Sequence, residues 1–479
     1  MVCFRTLGIS ALAAVGCGPI AGTPLRDDDD GGSVHGGDGA SSSSDGTGVD
    51  TTVDDTDTPE PVPTLCGAAD ITSPIAVLGI DGGLAVLRGD GSTAALELPP
   101  PSGVNLISSV QARGDFVAVV SASSTFDTVV HYDSEVHLLH ADGALSWSAF
   151  EPDAYVSSPQ VGVDGTIIAT RSLEDNSSGS AVYQDGATLL TTTNFYPTGP
   201  LGRDGLAPGS WYADSITRVG WLSSFDGSLR ETTFTPLVTW SPRPNGHIVY
   251  LTMDGPWRIV TDSPTGASSF EIPALAGADP AALLVLFSPS YDWMLARNGL
   301  SGASIRVSVA TGVTDSVLVS WPAGVWEFDC YATGMQLDDS GGVLVATRDD
   351  QAARAQRFDP SSGTLTPIGE AVTAVDGMNI SAFGDTYLVQ TQGQGKTFCP
   401  PQTFEPSDTP LVGTTTQVVR PSDGVSLPVV TDGAWPSISP DGLCVAVIGA
   451  PNTTVTDLVS GEERILTGVQ SVTWWSPSQ

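Results

Sequence analysis

Asp-Gly pairs recur along the middle of this chain at nearly constant intervals. Four successive pairs begin at Asp164, Asp185, Asp204 and Asp226, at steps of 21, 19 and 22 residues. An Asp-Gly pair takes the positive φ angles of a tight hairpin turn at little energetic cost, so such pairs between apolar runs indicate regularly spaced antiparallel strands. Two turns enclose a unit of about 40 to 50 residues, the length of a four-stranded propeller blade. The spacing therefore predicts an all-β fold, a single β-propeller of four-stranded blades.

Two kinds of turn mark each predicted repeat. The first precedes an apolar strand and falls at Asp115, Asp164, Asp204, Asn245, Asp292, Asp339, Asp385 and Asp441. The second is a glycine turn further along each repeat, at Gly143, Gly186, Gly227, Gly266, Gly312, Gly363, Gly424 and Gly461. Four strands and two hairpins per unit follow.

Strands from both termini are predicted to close the ring. Residues 472–477 have the pattern of the first strand of another repeat, while three strands within 75–98 lack a fourth. Pairing them would complete a blade and hide its edge strands. This raises the tally to nine, above the usual maximum of about eight. We therefore expect one weak mark, Asp115 or Asp204, to be spurious, and predict eight blades, with seven as the alternative.

One repeat near the C-terminus is specific enough to indicate a family. Residues 435–442, Trp-Pro-Ser-Ile-Ser-Pro-Asp-Gly, resemble the Trp-Ser-Pro-Asp-Gly repeat of TolB-like and tricorn-like (WD40-like) propellers, and residues 457–467 resemble its second hairpin. Residues 240–250 and 287–296 are weaker copies. Residues 158–169 are more similar to quinoprotein-like repeats. The resemblance implies a propeller that binds protein partners.

The N-terminus is typical of an exported lipoprotein. Arg5 precedes an apolar stretch over residues 7–15, which is too short to cross a bilayer. Residues 14–17, Ala-Val-Gly-Cys, resemble a bacterial lipobox, which implies lipidation of Cys17. An ordinary signal peptide with a stray thiol is the alternative. Gly18 would, by analogy with enteric lipoproteins, permit sorting to the outer membrane.

An acidic segment separates this leader from the folded body. It is rich in Asp, Gly, Ser, Thr and Pro, and it cannot bury enough apolar surface to offset its ordering entropy. We expect residues 1–17 to be a lipoprotein signal peptide, 18–65 a disordered acidic tether and 66–479 the propeller.

Four cysteines remain in the body, and their even number in an exported chain predicts two disulfides. We favour Cys330 with Cys399, one repeat apart. Cys66 would then pair with Cys444, because ring closure brings the two ends together. Three connectivities are open on sequence alone.

Charge and motifs restrict the function. The formal net charge of −36 makes nucleic-acid binding improbable. No Gly-x-Ser-x-Gly pentad is present, no carboxylate pair stands out among 54 acidic residues, and no cofactor motif is present. His131, His137 and His140 share one predicted strand but not one face, so they cannot meet one metal without a bend. We assign no catalytic, cofactor or metal residue.

The sequence thus favours a non-enzymatic, monomeric envelope or cell-surface lipoprotein whose propeller binds another envelope or extracellular protein. A propeller enzyme or glycan-binding protein that acts on extracellular polysaccharide, or a quinoprotein-like dehydrogenase, is the alternative.

Overall fold

The structure is a computed structural model. It describes residues 64–80, 83–99, 105–126, 130–173, 177–214, 216–236, 240–243, 245–253, 255–298, 303–321, 336–348, 352–373, 375–393, 414–422, 424–430, 435–449 and 451–475. Within these ranges 37 strands form nine antiparallel sheets. No helix of these ranges is both long and apolar enough to span a membrane.

The strands of the first half of the chain are β1 (Pro74–Ile80), β2 (Gly83–Arg88), β3 (Thr93–Ala95), β4 (Asn105–Arg113), β5 (Phe116–Phe126), β6 (Val130–His140), β7 (Leu145–Glu151), β8 (Ala154–Val161), β9 (Ile167–Leu173), β10 (Ser178–Gln184), β11 (Ala187–Thr193), β12 (Phe195–Pro197), β13 (Leu206–Ala213), β14 (Ile216–Ser223), β15 (Leu229–Glu231), β16 (Trp240–Pro242), β17 (Ile248–Met253), β18 (Trp257–Ser263) and β19 (Gly266–Glu271). Those of the second half are β20 (Leu283–Phe287), β21 (Trp293–Asn298), β22 (Ser304–Ser308), β23 (Gly312–Val319), β24 (Gln336–Leu337), β25 (Val343–Arg348), β26 (Ala352–Asp359), β27 (Thr364–Pro367), β28 (Val372–Thr373), β29 (Val375–Phe383), β30 (Thr386–Gly393), β31 (Thr414–Arg420), β32 (Val425–Val430), β33 (Trp435–Ile438), β34 (Cys444–Ile448), β35 (Asn452–Asp457), β36 (Glu463–Thr467) and β37 (Val469–Trp474).

Each sheet is one propeller blade, and its strands are called A to D from the ring centre to the rim. Blade 1 consists of β37, β1, β2 and β3, and blades 2 to 9 take the following strands four at a time, with the short β28 added to blade 7 beside β26. The D strands are mostly exposed, as in β11, β15 and β36, which places them at the rim.

The blade number predicted from the sequence is wrong, since the ring has nine blades and not eight or seven. Asp115 lies in the turn between β4 and β5, and Asp204 in the turn between β12 and β13, so neither mark is spurious. All eight first marks are A–B turns of blades 2 to 9. Blade 1 has no A–B turn because its A strand comes from the other end of the chain. Eight turns therefore correspond to nine blades.

The second marks are also confirmed, since each lies between the C and D strands of a blade or begins the D strand.

Glycine is required in some A–B turns because a side chain would collide with the neighbouring blade. At Gly442, with φ +71°, an added Cβ would lie 2.1 Å from the Phe383 carbonyl oxygen of blade 8. Only glycine fits there without moving the backbone.

The core lies between the blades. Ala118 and Leu138 of blade 2 pack with Ile167 of blade 3, while Val117 and Val119 on the opposite side of β5 pack against blade 1. Because both sides of a central strand are buried, such strands are continuous apolar runs and not alternating ones. Burying each of the Val, Leu and Ile side chains stabilises the fold by about 1.5–3 kcal/mol.

Closure by strands from both termini is confirmed. β37 pairs with β1 in antiparallel register, with Val472 opposite Leu78. Trp474 Nε1 donates to Ser437 Oγ of blade 9 at 2.9 Å, and Trp475 Nε1 donates to the Gly114 carbonyl of blade 2 at 2.9 Å. The last described residues therefore fasten blade 1 to both of its neighbours.

Candidate functional site

The ring has two faces that differ in their connections. The A–B and C–D turns lie on one face, called here the turn face, and the B–C connections and D–A links lie on the other, the loop face. Cys66 precedes blade 1 and is bonded to Cys444, the first residue of β34, directly after an A–B turn. The chain therefore enters the ring on the turn face.

Blade 2 extends further on the loop face than the other blades. Its B and C strands, β5 and β6, have eleven residues each, whereas the B and C strands of the other blades have five to eight. Tyr132, in the extended part of β6, makes an edge contact with Tyr155 at the start of β8, with ring centroids 5.4 Å apart. Aromatic rings with an apolar body and a polar tip are enriched in protein interfaces.

Exposed apolar side chains accompany this extension. Ile107, Ser121, Glu135 and Phe150 stand opposite one another in a row across the four strands of blade 2. Phe150 is 54% exposed, and Ile107 and Tyr132 are also exposed. Tyr212 and Ile216, at the loop-face ends of β13 and β14 in blade 4, are exposed as well. We call these five exposed apolar residues of the loop face, together with Tyr155, the loop-face patch. Within blade 2, Tyr132 lies on the side that faces blade 3, whereas Ile107 and Phe150 lie on the side that faces blade 1.

A buried histidine lies beside the patch, on the side of blade 2 that faces blade 1. His137 Nδ1 is 2.8 Å from Ser148 Oγ, and its Nε2 is 3.5 Å from Glu135 Oε2 and 3.4 Å from Ser121 Oγ. Burial lowers the pKa of His137, and the Glu135 charge opposes this in part. The imidazole is therefore neutral near pH 7 and can accept a proton from the exposed Ser148 hydroxyl.

His131 and His140 do not join this cluster. His140 is exposed at the turn-face end of β6, where its ring lies 5.3 Å from that of Phe116. Within the described ranges no three His, Cys, Asp or Glu side chains come together as metal ligands.

Ion pairs lie on the turn face, both within a blade and between neighbouring blades. Asp338 is buried and accepts from Arg357 Nε at 2.5 Å and Nη2 at 3.3 Å, and Tyr387 of the next blade donates to it at 3.4 Å. Burial and the Asp338 charge raise the pKa of Tyr387 to about 12. Arg243 of blade 5 forms an ion pair with Asp292 of blade 6, which connects these two blades directly.

Asp339 is an incompletely hydrogen-bonded acid of this face. Its Oδ1 accepts the Ser290 N–H at 2.7 Å, while its buried Oδ2 has no hydrogen-bond partner among the described residues. Burial raises the pKa of Asp339 despite this hydrogen bond. The carboxyl is consequently easier to protonate than an exposed aspartic acid.

Arg113 occupies the ring centre on the turn face. Its Nη1 donates to the carbonyl oxygens of Leu201 at 2.9 Å and Val161 at 3.3 Å. These three residues belong to blades 2, 4 and 3, and side chains of non-adjacent blades can meet only near the axis. Arg113 is 9% exposed. Arg113 was not recognisable from local sequence patterns, because its partners lie 48 and 88 positions further on.

The cysteine assignments have different outcomes. The Cys66–Cys444 pairing is confirmed, with a Cα–Cα distance of 5.3 Å. Cys17, Cys330 and Cys399 lie outside the described residues, so lipidation and the second disulfide stay predictions.

No family model matches this sequence, and a search of curated proteins finds no match. Solved structures do share its fold. A crystal structure of the eukaryotic initiation factor matches with a TM-score of 0.51 at 10% identity, over 84% of this chain and 98% of that one. The dihydro-heme d1 dehydrogenase NirN has a TM-score of 0.36 at 13% identity over 83% and 74%, and tricorn protease 0.28 at 9% over 84% and 47%. The match with a TM-score of 0.51 supports the propeller fold, and at 10% identity it says nothing about function.

Proposed function

We propose that this chain is an exported lipoprotein, anchored to the outer membrane through Cys17, whose propeller binds another envelope or extracellular protein on its loop face. The observation that carries the proposal is the extension of β5 and β6, which presents Tyr132 to solvent beside the exposed Phe150 of β7. Surface aromatic residues next to a projecting hairpin are a common composition of protein-binding surfaces.

The entry of the chain on the turn face supports the same arrangement. A tether over residues 18–65 would join the ring next to Cys66, on the face opposite the patch. Its run of like charges favours an extended spacer. The loop face would then point away from the attachment point and stay open to a partner.

The experiment that tests partner binding is photo-crosslinking in the source cells. A benzophenone amino acid is placed at Tyr132 on the loop face or, as a matched control, at the exposed Val459 on the turn face. We expect one discrete protein adduct from position 132 and none from 459. Equal labelling at both positions, or none at either, would contradict a specific loop-face interface.

The anchor has a separate test. Cys17→Ser should move the protein from the membrane fraction to the soluble exported fraction, because the thiol that receives the lipid is gone. A Cys17→Ser protein that still sediments with membranes would refute lipidation at this residue.

A second candidate function, hydrolysis of an extracellular substrate, is favoured by one arrangement. Ser148, His137 and Glu135 have the order of a nucleophile, a base and an orienting acid. A fluorophosphonate probe should label Ser148 if this hydroxyl is activated, and Ser148→Ala should abolish the label. Absence of labelling in the wild type would remove this candidate.

A further inference from the structure

Arg113 has no acidic partner among the described residues. Burial lowers the pKa of Arg113, and among the described residues the charge of Arg203, another cation, lowers it further. An arginine stays protonated even so. A nearly buried guanidinium without a counterion is unexpected in a chain with 54 acidic and 18 basic residues.

The unused part of this guanidinium has a definite shape. Both described hydrogen bonds come from Nη1, so the Nε–H and Nη2–H donors, which form one edge of the fork, make none. Nε and Nη2 make no hydrogen bond within the described part of the chain, yet they are not fully enclosed by protein, so this edge reaches solvent. The fork is fixed in direction by two carbonyl groups of other blades and is open on one edge.

Other arginines of the ring show what such an edge binds. Arg357 uses its Nε and Nη2 for the two carboxylate oxygens of Asp338, and Arg171 directs its Nε to Glu151 Oε2 at 2.9 Å. In these two arginines the Nε donates to a carboxylate, and in Arg357 the Nη2 does so as well. Arg113 has the same edge without that partner.

We propose that the Nε–Nη2 edge of Arg113 is a binding site for a carboxylate at the centre of the turn face. The site is independent of the loop-face patch. Arg203, exposed in the A–B turn of blade 4, adds a second positive charge and attracts the anion. A carboxylate fits better than a phosphate dianion, since it fills the planar fork with one charge and suffers less repulsion from an acidic protein.

The carboxylate has two sources that an experiment can distinguish. One is an external ligand, either a small acid or an acidic group of a partner. The other is this chain, because Asp54, Asp55, Asp57 and Glu60 precede Thr64, where the described chain begins near the turn face. Both sources present the same group to the same edge.

The test is NMR of the full chain labelled with ¹⁵N-arginine, in which the Nε–H resonance of Arg113 is assigned by Arg113→Lys. Sodium acetate is titrated against sodium chloride at equal ionic strength. We expect a saturable shift with acetate only. Arg203→Gln should weaken acetate binding about 3- to 10-fold, whereas Arg230→Gln, the same charge change at the exposed rim strand β15, should leave it unchanged. If Arg113→Lys does not fold, this pair of variants still tests the site.

A chain with Asp54, Asp55 and Asp57 changed to Asn and Glu60 to Gln distinguishes the sources. An acetate response in this variant but not in the wild type would support the site with the acidic segment as its occupant. Equal responses in both would support an external carboxylate. The proposal is overturned if neither chain responds, if phosphate and not acetate binds, or if Arg230→Gln weakens binding as much as Arg203→Gln.

Discussion

Cys66 and Cys444 form a disulfide between residues 378 positions apart, which fixes the entry of the chain to the last blade. The Cys66 N–H also donates to Asp457 Oδ2 of blade 9 at 2.7 Å. Blade 1 is therefore attached to blade 9 in two ways, by this bond and by its inner strand β37. Both attachments act where the ring would otherwise open.

Removing this disulfide should destabilise the ring. We expect the double variant Cys66→Ser, Cys444→Ser to unfold about 2–5 kcal/mol more easily in urea, because a very long loop of the unfolded chain is no longer closed. Reduction of the wild-type protein should shift its unfolding midpoint at least as far. A double variant as stable as the oxidised wild type would show that the bond is dispensable for closure.

The predicted Cys330–Cys399 bond can be measured in the same double variant. If the bond forms, the variant has no thiol that reacts with a maleimide after unfolding, apart from Cys3 or Cys17 where these remain unmodified. Its urea midpoint should also stay sensitive to reductant. Two reactive thiols that map to Cys330 and Cys399 would contradict the pairing.

Trp474 should be a second determinant of closure. Its ring is 8% exposed and packs in the cluster that contains Leu65, Cys444 and Ala446, between blades 1 and 9. Trp474→Ala is expected to cost about 3–5 kcal/mol of unfolding free energy. Phe225→Ala, at a side chain that is 76% exposed, serves as the control and should cost about 0.5 kcal/mol or less. Similar losses for both variants would contradict a specific role of Trp474 in closure.

The fold could be predicted from the sequence because hairpin turns are local. Asp164 and Asp441 lie in their turns as expected, since the residues that form a tight turn are its own signal. The predicted number of blades is one too low because the usual range of blade numbers was given more weight than the turns at Asp115 and Asp204. Arg113 could not be recognised, because a strand-end arginine has an ordinary local pattern and its contacts form only when blades 2, 3 and 4 assemble.

The buried His137 should make stability depend on pH in a defined direction. Its pKa in the folded state is lowered by burial, so between that pKa and the unfolded value of about 6.5 the unfolded chain binds more protons. The unfolding free energy should accordingly fall as the pH decreases below about 6.5. Above that pH, the titration of His137 should add no pH dependence to the unfolding free energy. Unfolding free energies of the wild type and of His137→Gln, measured between pH 8 and 5, should diverge in slope only below that point. Parallel slopes would contradict a buried neutral imidazole.

Asp338 should stabilise blade 7 and its contact with blade 8, because it accepts from Arg357 within blade 7 and from Tyr387 of blade 8. Asp338 is buried and also accepts the Gly342 N–H at 2.8 Å, so its loss leaves several donors without an acceptor. We expect Asp338→Asn to lower the unfolding free energy by about 2–4 kcal/mol, since one partner of a buried pair is neutralised. The control is Asp214→Asn, at a carboxylate that is 84% exposed beside Arg218, where the loss should be about 0.5 kcal/mol or less. If the two variants lose the same amount, the buried pair contributes no more than a surface contact and the turn face is stabilised by its apolar packing.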